Sequence, residues 1–283
     1  MYTPSSAPNR MASSAQLKIK RAPLRISTLT MTADWGSPIN LDLLFEQLPA
    51  HFIPIWYPGE GILKFEHKAK VYGASHKDLF TNRKITTKSF FNQSTLVIRR
   101  PWHDGWKEMN MKVFANGGVQ MTGLPEEKFA VEALHWMLHL IKSLPRCPFS
   151  KEPAIQKICT YLINTDYNVG CEIQQDALQR ILVEDYNLFS MFEKTIYQGV
   201  NAKFFYNKSS TGSPGICSCT VPCTGKGTGD GNGECKRITL SIFRTGSIII
   251  TGGRSMDQIE AAYDFINEVF DRHAGEVLLA GAK

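Results

Sequence analysis

The chain has 283 residues, of which 43% are hydrophobic and 20% charged, with a formal net charge of +6 and seven cysteines. That length suits one large core or two fused halves. No apolar run approaches the ~20 residues a membrane helix needs, and the N-terminus lacks an apolar signal core, so a soluble protein of the cell interior is expected. An odd cysteine count, with Cys147, Cys159 and Cys171 scattered, argues against a disulfide framework and for reduced thiols.

In chain order, residues 1–24 are rich in Ser, Ala, Pro and basic side chains without periodicity and read as a disordered basic tail. Arg25 to Thr32 alternates polar and apolar as a strand does. Leu41, Leu44, Phe45 and Leu48 then recur at helical spacing behind Asn40, a capping residue type. The stretch from Ile53 to Lys88 is irregular and reads as a strand plus an excursion. Phe90 to Arg100 and Glu108 to Phe114 are predicted strands joined by a turn at Pro101, Asp104 and Gly105, and Asn116-Gly117-Gly118 marks a tight hairpin. After Pro125, Glu126 and Glu127, the pattern from Phe129 to Ile141 predicts a long amphipathic helix. Residues 146–156, with Pro148 and Pro153, read as a linker.

Residues 157–273 repeat that order: strand Lys157 to Asn164, helix Gln174 to Val183, strands Tyr197 to Tyr206 and Arg237 to Phe243, a turn at Thr245-Gly246, strand Ile248 to Thr251, and helix Ser255 to Phe270. The repeat is visible in the residues themselves. Phe114, Gly117 and Thr122-Gly123 return at the same spacing as Phe243, Gly246 and Thr251-Gly252, while Thr28, Asp34 and Trp35 find echoes at Thr160, Asp166 and Tyr167, 132 positions on. Lys88 to Asn92 is echoed by Lys194 to Gln198. Matched blocks in one order mark an internal duplication with two copies, 25–145 and 157–273. Residues 274–283 read as a C-terminal tail.

A duplicated strand-helix-strands-helix unit, each copy ending in Phe-x-x-Gly-x5-Thr-Gly before a long helix, resembles the TATA-binding protein family, most of all the divergent versions carried by large DNA viruses. The resemblance covers about Arg25 to Arg272. It implies an α+β fold in which the two halves form one curved antiparallel sheet, a saddle with pseudo-twofold symmetry and two long helices on its convex face. It further implies a non-enzymatic transcription initiation factor that binds and bends promoter DNA through the minor groove. This family is itself a standard instance of aromatic and aliphatic wedges kinking DNA.

On the family's pattern the wedge positions fall on Phe91, Phe114, Tyr197 and Phe243, with Tyr197 standing where the family usually has Phe. Thr122 and Thr251 match groove-floor threonines, and Thr28 and Thr160 fall where the family carries paired asparagines. A Thr hydroxyl offers one donor where an Asn amide offers two, which puts sequence preference in question. Lys88, Arg99, Arg100, Lys194 and Lys203 are the expected phosphate contacts. The excess of Lys and Arg between residues 64 and 112 fits a face turned toward a polyanion, or simply a solvated basic surface. Glu193 remains from the family's acidic docking patch. The implied partners are double-stranded DNA, a transcription factor IIB-like factor and a multisubunit RNA polymerase. The protein is expected to act as a monomer on DNA, without a membrane, in the nucleus or, for a viral protein, in host cytoplasm or a virus factory. The lost asparagines and long insertions leave open a second reading, a protein-interaction scaffold with weak or lost DNA binding.

Cys217, Cys219, Cys223 and Cys235 lie in a Cys/Gly-rich insertion, residues 208–236. They could hold a tetrahedral Zn²⁺ or stay reduced in a glycine-rich hairpin, since Cys-x-Cys-x3-Cys lacks the usual Cys-x2-Cys knuckle. No other cofactor is expected. His135 and His139 share a helical face but lack a third ligand, and no nucleophile-base signature suggests catalysis.

Overall fold

The computed structural model describes residues 20–81 and 91–279. It is α+β. In chain order the elements are strand β1 (Arg25–Asp34), helix α1 (Leu41–Gln47) with a short 3-10 extension, strands β2 (Gly61–His67) and β3 (Lys70–Gly73), helix α2 (His76–Phe80), strands β4 (Gln93–Trp102), β5 (Gly105–Phe114) and β6 (Gly118–Leu124), and helix α3 (Glu127–Lys142). The second half contains β7 (Gln156–Asn168), β8 (Glu172–Ile173), α4 (Gln175–Glu184), β9 (Phe189–Met191), β10 (Gly199–Tyr206), β11 (Lys236–Phe243), β12 (Ser247–Gly253), α5 (Met256–Arg272), α6 (Ala274–Val277) and β13 (Leu278–Leu279).

Eleven strands form one antiparallel sheet in the order β3-β2-β4-β5-β6-β1-β7-β12-β11-β10-β9. Reading outward from the central β1-β7 pair, β1-β6-β5-β4-β2 matches β7-β12-β11-β10-β9, with β3 an extra edge strand of the first half, so the sheet is the duplicated saddle that the resemblance implies. The strands alternate because one face is covered and the other is not. On β6 Val119, Met121 and Leu124 are buried, and on β12 Ile248 and Ile250 are buried, while the intervening Gln120, Thr122, Ile249 and Thr251 face away. The covered face packs against α3 through Ala130, Ala133, Leu134 and Met137, and against α5 through Ile259, Ala262, Ile266 and Phe270. Burying each of these larger side chains stabilises the fold by roughly 1.5–3 kcal/mol. The helix-free face is therefore left as a broad polar and aromatic surface between two outer ends.

The halves superpose on a spacing different from the one the sequence pattern suggests. Thr122 pairs with Thr30 and Thr251 with Asn164. In both halves an Asx side chain caps a glycine two residues on, Asp34 to the Gly36 N–H and Asn168 to the Gly170 N–H. Trp35 N–H donates to the Gly117 carbonyl as Val169 N–H donates to that of Gly246. Thr30 and Asn164, Asp34 and Asn168, and Gly36 and Gly170 each stand 134 positions apart. The 132-residue pairing of Thr28 with Thr160 and Asp34 with Asp166 is thus two residues out of step. A shift of two preserves which face every side chain occupies, so period-two alternation could not detect it.

Several other expectations change. Of the predicted basic tail, residues 1–19 lie outside the described residues, but Ala22 N–H donates to the Asn168 carbonyl and Arg21 pairs with Asp271 of α5, fixing that stretch to the second half. The linker docks on the first half, where Ala154 N–H donates to the Trp35 carbonyl and Ser37 Oγ to that of Lys151. At the other end, residues 274–279 form α6 and β13, which pairs with β8. The irregular stretch after Ile53 resolves into β2, β3 and α2. No helix among the described residues is long and apolar enough to cross a membrane.

Candidate nucleic-acid interface

Phe114 ends β5 and Phe243 ends β11, each two strands out from the centre and each followed by a turn at a glycine, Gly117 or Gly246, with positive φ. Both glycines are sterically required. A Cβ at Gly117 would lie 2.3 Å from the Ser37 carbonyl oxygen and one at Gly246 2.2 Å from that of Cys171. These turns hold the two Phe at symmetric positions on the helix-free face.

Their partners differ. Tyr197 stacks edge-on against Phe243, ring centroids 5.7 Å apart. Phe91 lies just ahead of β4 and is 80% exposed, and among the described residues it makes no ring contact with Phe114. Next to Tyr197 stands Ile196, 83% exposed, a residue that sequence reasoning passed over. An isolated Ile within a loop carries no periodic signal, so only its exposure reveals it.

At the centre of the face the structure corrects one assignment and supplies a missing residue. Thr28, Thr122 and Thr251 lie on the helix-free side. Thr160 does not. It pairs with buried Met31, and its hydroxyl donates to Glu127 in the first turn of α3. The cause is the register shift in β7, where Thr30 pairs with Leu162 but Met31 with Thr160, so that Tyr161 is an extra residue, a bulge. Asn164 occupies the centre instead: its Nδ2 donates to Thr28 Oγ1 at 3.0 Å and its Oδ1 accepts from Thr251 Oγ1. It escaped notice because the two-residue offset put Thr160 in its stead.

The cations divide sharply. Lys88 lies outside the described residues. Arg99 is 5% exposed, and its guanidinium donates to the Tyr57 and Ile55 carbonyls at 2.7 Å each and faces Glu108. Arg100 lies on the other face, over the Trp136 ring of α3 at 5.0 Å and paired with Glu60. Neither is available to phosphate: Arg99 ties down the 53–60 loop, and Arg100 sits among the helices. Lys194 pairs with Asp176 at 2.9 Å and lies over the Phe192 ring, at the rim of the second half. Lys203 is on the helix-free face, donating to Thr239 Oγ1 at 3.1 Å. Burial and the nearby Arg237 guanidinium push its pKa down. Lys236 is also lowered, by burial and then by Arg254 and Arg237. Among the described residues none of Lys203, Lys236, Arg237 and Arg254 makes an ion pair, so this corner is a concentrated, uncompensated positive charge.

Several of the basic residues between 64 and 112 are, by contrast, paired within the fold. Lys64 pairs with Glu66 and Asp78, and His76 with Glu108, which fastens α2 over the outer end of the side that α3 and α5 leave open. Burial pushes the Asp78 carboxyl up, yet hydrogen bonds from Ser75 N–H and Oγ–H, together with Lys64, hold it down at about 2. Glu193 is exposed in the turn before Tyr197, its carboxylate accepting from Thr195 Oγ1.

The four thiols of the insertion converge. The sulfurs of Cys217, Cys219, Cys223 and Cys235 all lie within 4.8 Å of one another. Burial pushes the Cys235 thiol up to about 12, whereas the Gly233 N–H, donating to Cys219 Sγ at 3.1 Å, helps bring that thiol down to about 7.

Residues 233–273 match the family model described as "Transcription factor TFIID (or TATA-binding protein, TBP)". A protein of Acanthamoeba polyphaga mimivirus described as "TATA-box-binding protein-like" is 26% identical over 276 residues, covering 88% of this chain. The chain spans 65% of the length of that relative. Among solved structures, Methanococcus jannaschii TBP overlays with a TM-score of 0.47 at 14% identity, over 88% of this chain and 97% of that one.

Proposed function

We propose that this chain, which matches the TATA-binding protein family model over residues 233–273 and is similar to a viral TATA-box-binding protein-like protein, is a non-enzymatic transcription initiation factor that lays its helix-free face on the minor groove of double-stranded DNA and bends it. The observation that carries this reading is the pair of strand-end aromatics, Phe114 and Phe243, at symmetric positions on the face that α3 and α5 leave open, with Tyr197 against Phe243 and the exposed Phe91 just ahead of β4. In this family such side chains wedge between base pairs, at a cost of a few kcal/mol per unstacked step that is offset by the surface the bent duplex gains.

Between the wedges, Thr28, Asn164, Thr122 and Thr251 supply hydroxyl and amide groups at the height of the groove floor, suited to the A N3 and T O2 acceptors. Asn164 can also donate where a Thr pair offers hydroxyls alone. Lys203 and Arg237, with Lys194 at the rim, are the phosphate contacts of the second half, and Glu193 beside the second wedge is the docking point for a transcription factor IIB-like factor. Assembly with a multisubunit RNA polymerase follows from the same reading. So does a location where transcription is carried out, in the nucleus or a viral factory. The protein acts as a monomer, since its own two halves already provide the symmetry.

The experiment is a gel-shift with random duplexes and selection of the bound pool. A·T-rich enrichment, loss of binding with rising salt and competition by a minor-groove ligand are the expected results. A second reading, a scaffold without DNA affinity, is favoured by the capture of Arg99 and Arg100 and by Asp34 and Asp166 on the helix-free face. It predicts no enrichment at any salt concentration.

A further inference from the structure

The insertion between β10 and β11, residues 207–235, contains no helix or strand. Stretches of that length without regular structure are uncommon unless something holds them. Its own apolar side chains are few: Ile216 is half-buried and Val221 exposed. Nothing there could collapse into a core, yet its chain path is specific. Phe205 N–H donates to the Gly215 carbonyl, Arg237 N–H to that of Gly225, and Lys208 N–H to that of Gly229. Gly225 has φ +70, and a Cβ there would strike the Phe205 ring and the Arg237 side chain. What lies at the middle is sulfur.

We infer that Cys217, Cys219, Cys223 and Cys235 form a structural zinc centre that holds the insertion against the outer corner of the second half. Two sulfur separations, 3.4 Å from Cys235 to Cys219 and 3.6 Å from Cys235 to Cys217, lie close to the ~3.8 Å edge of a tetrahedron with Zn–S bonds of about 2.3 Å. They are far longer than the ~2.05 Å of a disulfide, and all four cysteines are free. The fourth sulfur, that of Cys223, falls within the same 4.8 Å sphere. The surroundings suit thiolates. Gly233 N–H points at Cys219 Sγ, and Asn207 Nδ2 lies 3.5 Å from Cys235 Sγ, donors that would orient ligands and share their charge.

A four-thiolate donor set is soft and closed, the pattern of a structural rather than a catalytic zinc. On binding, each thiol still protonated releases its proton to solvent and the zinc–sulfur bond takes its place. The resulting centre carries a net charge of about −2, and the backbones of Lys226 and Lys236, the residue after Cys235, form an antiparallel bridge beside it. The centre also reaches α5, because Gln258 Nε2 donates to the Thr228 carbonyl while its Oε1 accepts from Arg254 N–H. Zinc thereby fixes the strand ends that present Lys203, Lys236, Arg237 and Arg254. The inference stands on the sulfur geometry alone and does not require DNA binding.

The test uses the full chain purified under reducing conditions. Elemental analysis is expected to return one zinc per chain, and Co²⁺ exchanged for zinc to give the visible bands of a tetrahedral thiolate site. Cys223→Ser should lose the metal and lower Tm by roughly 5 °C, with faster amide exchange confined to residues 207–235, while Cys147→Ser keeps both metal and Tm. Should Cys223→Ser fail to fold, the cobalt spectrum of the unaltered chain decides. Free thiols without zinc after incubation with Zn²⁺, disulfides among the four, or iron in place of zinc would each overturn the inference.

Discussion

The two outer ends of the helix-free face descend from one ancestral unit but handle charge in opposite ways. In the first half two of the cations on this side are spent on the protein itself: Arg99 is wrapped by the Ile55 and Tyr57 carbonyls and Glu108, Lys64 lies between Glu66 and Asp78, and α2 is fastened over this side through His76 and Glu108, while Lys112 on β5 makes no ion pair among the described residues. In the second half Lys203 and Arg237 stand together on the open side without an ion-pair partner among the described residues, and burial, then the Arg237 guanidinium, lowers the Lys203 pKa. The lesson is that a count of basic residues locates charge in the chain, whereas the field that a polyanion meets depends on which cations already have partners. By that measure Lys203 and Arg237 are the second half's counterpart to the captured Arg99, although residues 64–112 are richer in Lys and Arg.

The largest effect should come from removing the one feature the two ends share. Phe114→Ala combined with Phe243→Ala is expected to abolish most of the bend measured by energy transfer between labelled duplex ends, and to weaken binding to linear DNA by about 10-fold or more while affecting pre-bent DNA less. An unchanged bend in that variant would falsify the wedge assignment. Next in size is a stability effect confined to the first half. Arg99→Met leaves two carbonyls and a carboxylate without their donor and should cost about 2–3 kcal/mol in a denaturant titration, with no change in the salt dependence of DNA binding.

The counterpart in the second half should behave in reverse. Lys203→Ala with Arg237→Ala leaves stability nearly unchanged but lowers the slope of log affinity against log salt by about 2, since each lost phosphate contact removes about 0.9. A slope that responds to Arg99 and ignores Lys203 and Arg237 would invert the comparison. At the centre, Asn164→Ala breaks the bonds to Thr28 and Thr251 and should cost about 1 kcal/mol. Selection from random duplexes with that variant should also show a weaker A·T preference.

The smallest effect is proton-linked. The Asp78 carboxyl is held below its unfolded value of 3.8, at about 2. Its folded pKa is depressed, so its contribution is fully present above pH ~4 and is lost as pH falls toward ~2. Amide exchange in α2 should therefore accelerate over that window, while α4 is unaffected. Equal acceleration in both helices would mean global acid unfolding rather than release of α2.

Much of the architecture was legible before any coordinates. The two copies, the amphipathic helices that became α3 and α5, and the hairpins at Gly117 and Gly246 all have local signatures: a period of 3.6 or 2, or a turn that only glycine fits. The places of Phe114 and Phe243 at strand ends and of Thr122 and Thr251 on the open face were legible because these residues stand at fixed offsets from those turns. The failures share a different character. Thr160 was misassigned, and Asn164 missed, because a two-residue offset leaves the alternation intact and the bulge at Tyr161, which turns Thr160 to the other face, has no local signature. Arg99 and Arg100 looked like surface charges because their partners, Tyr57, Ile55, Glu60 and Trp136, are remote in sequence.

The amino-acid order alone settled that the chain is a duplicated α+β unit with an aromatic residue at the mouth of a glycine turn in each copy, because alternation, helical spacing and turn chemistry act over a few neighbouring residues. Which cations remain free, which hydroxyls reach the open face, and that four cysteines from separate turns meet within 4.8 Å, were decided only by folding. Those outcomes depend on strand register and on loops crossing tens of residues, and a one-residue bulge or a single acid brought in from elsewhere in the chain changes them without altering any local pattern.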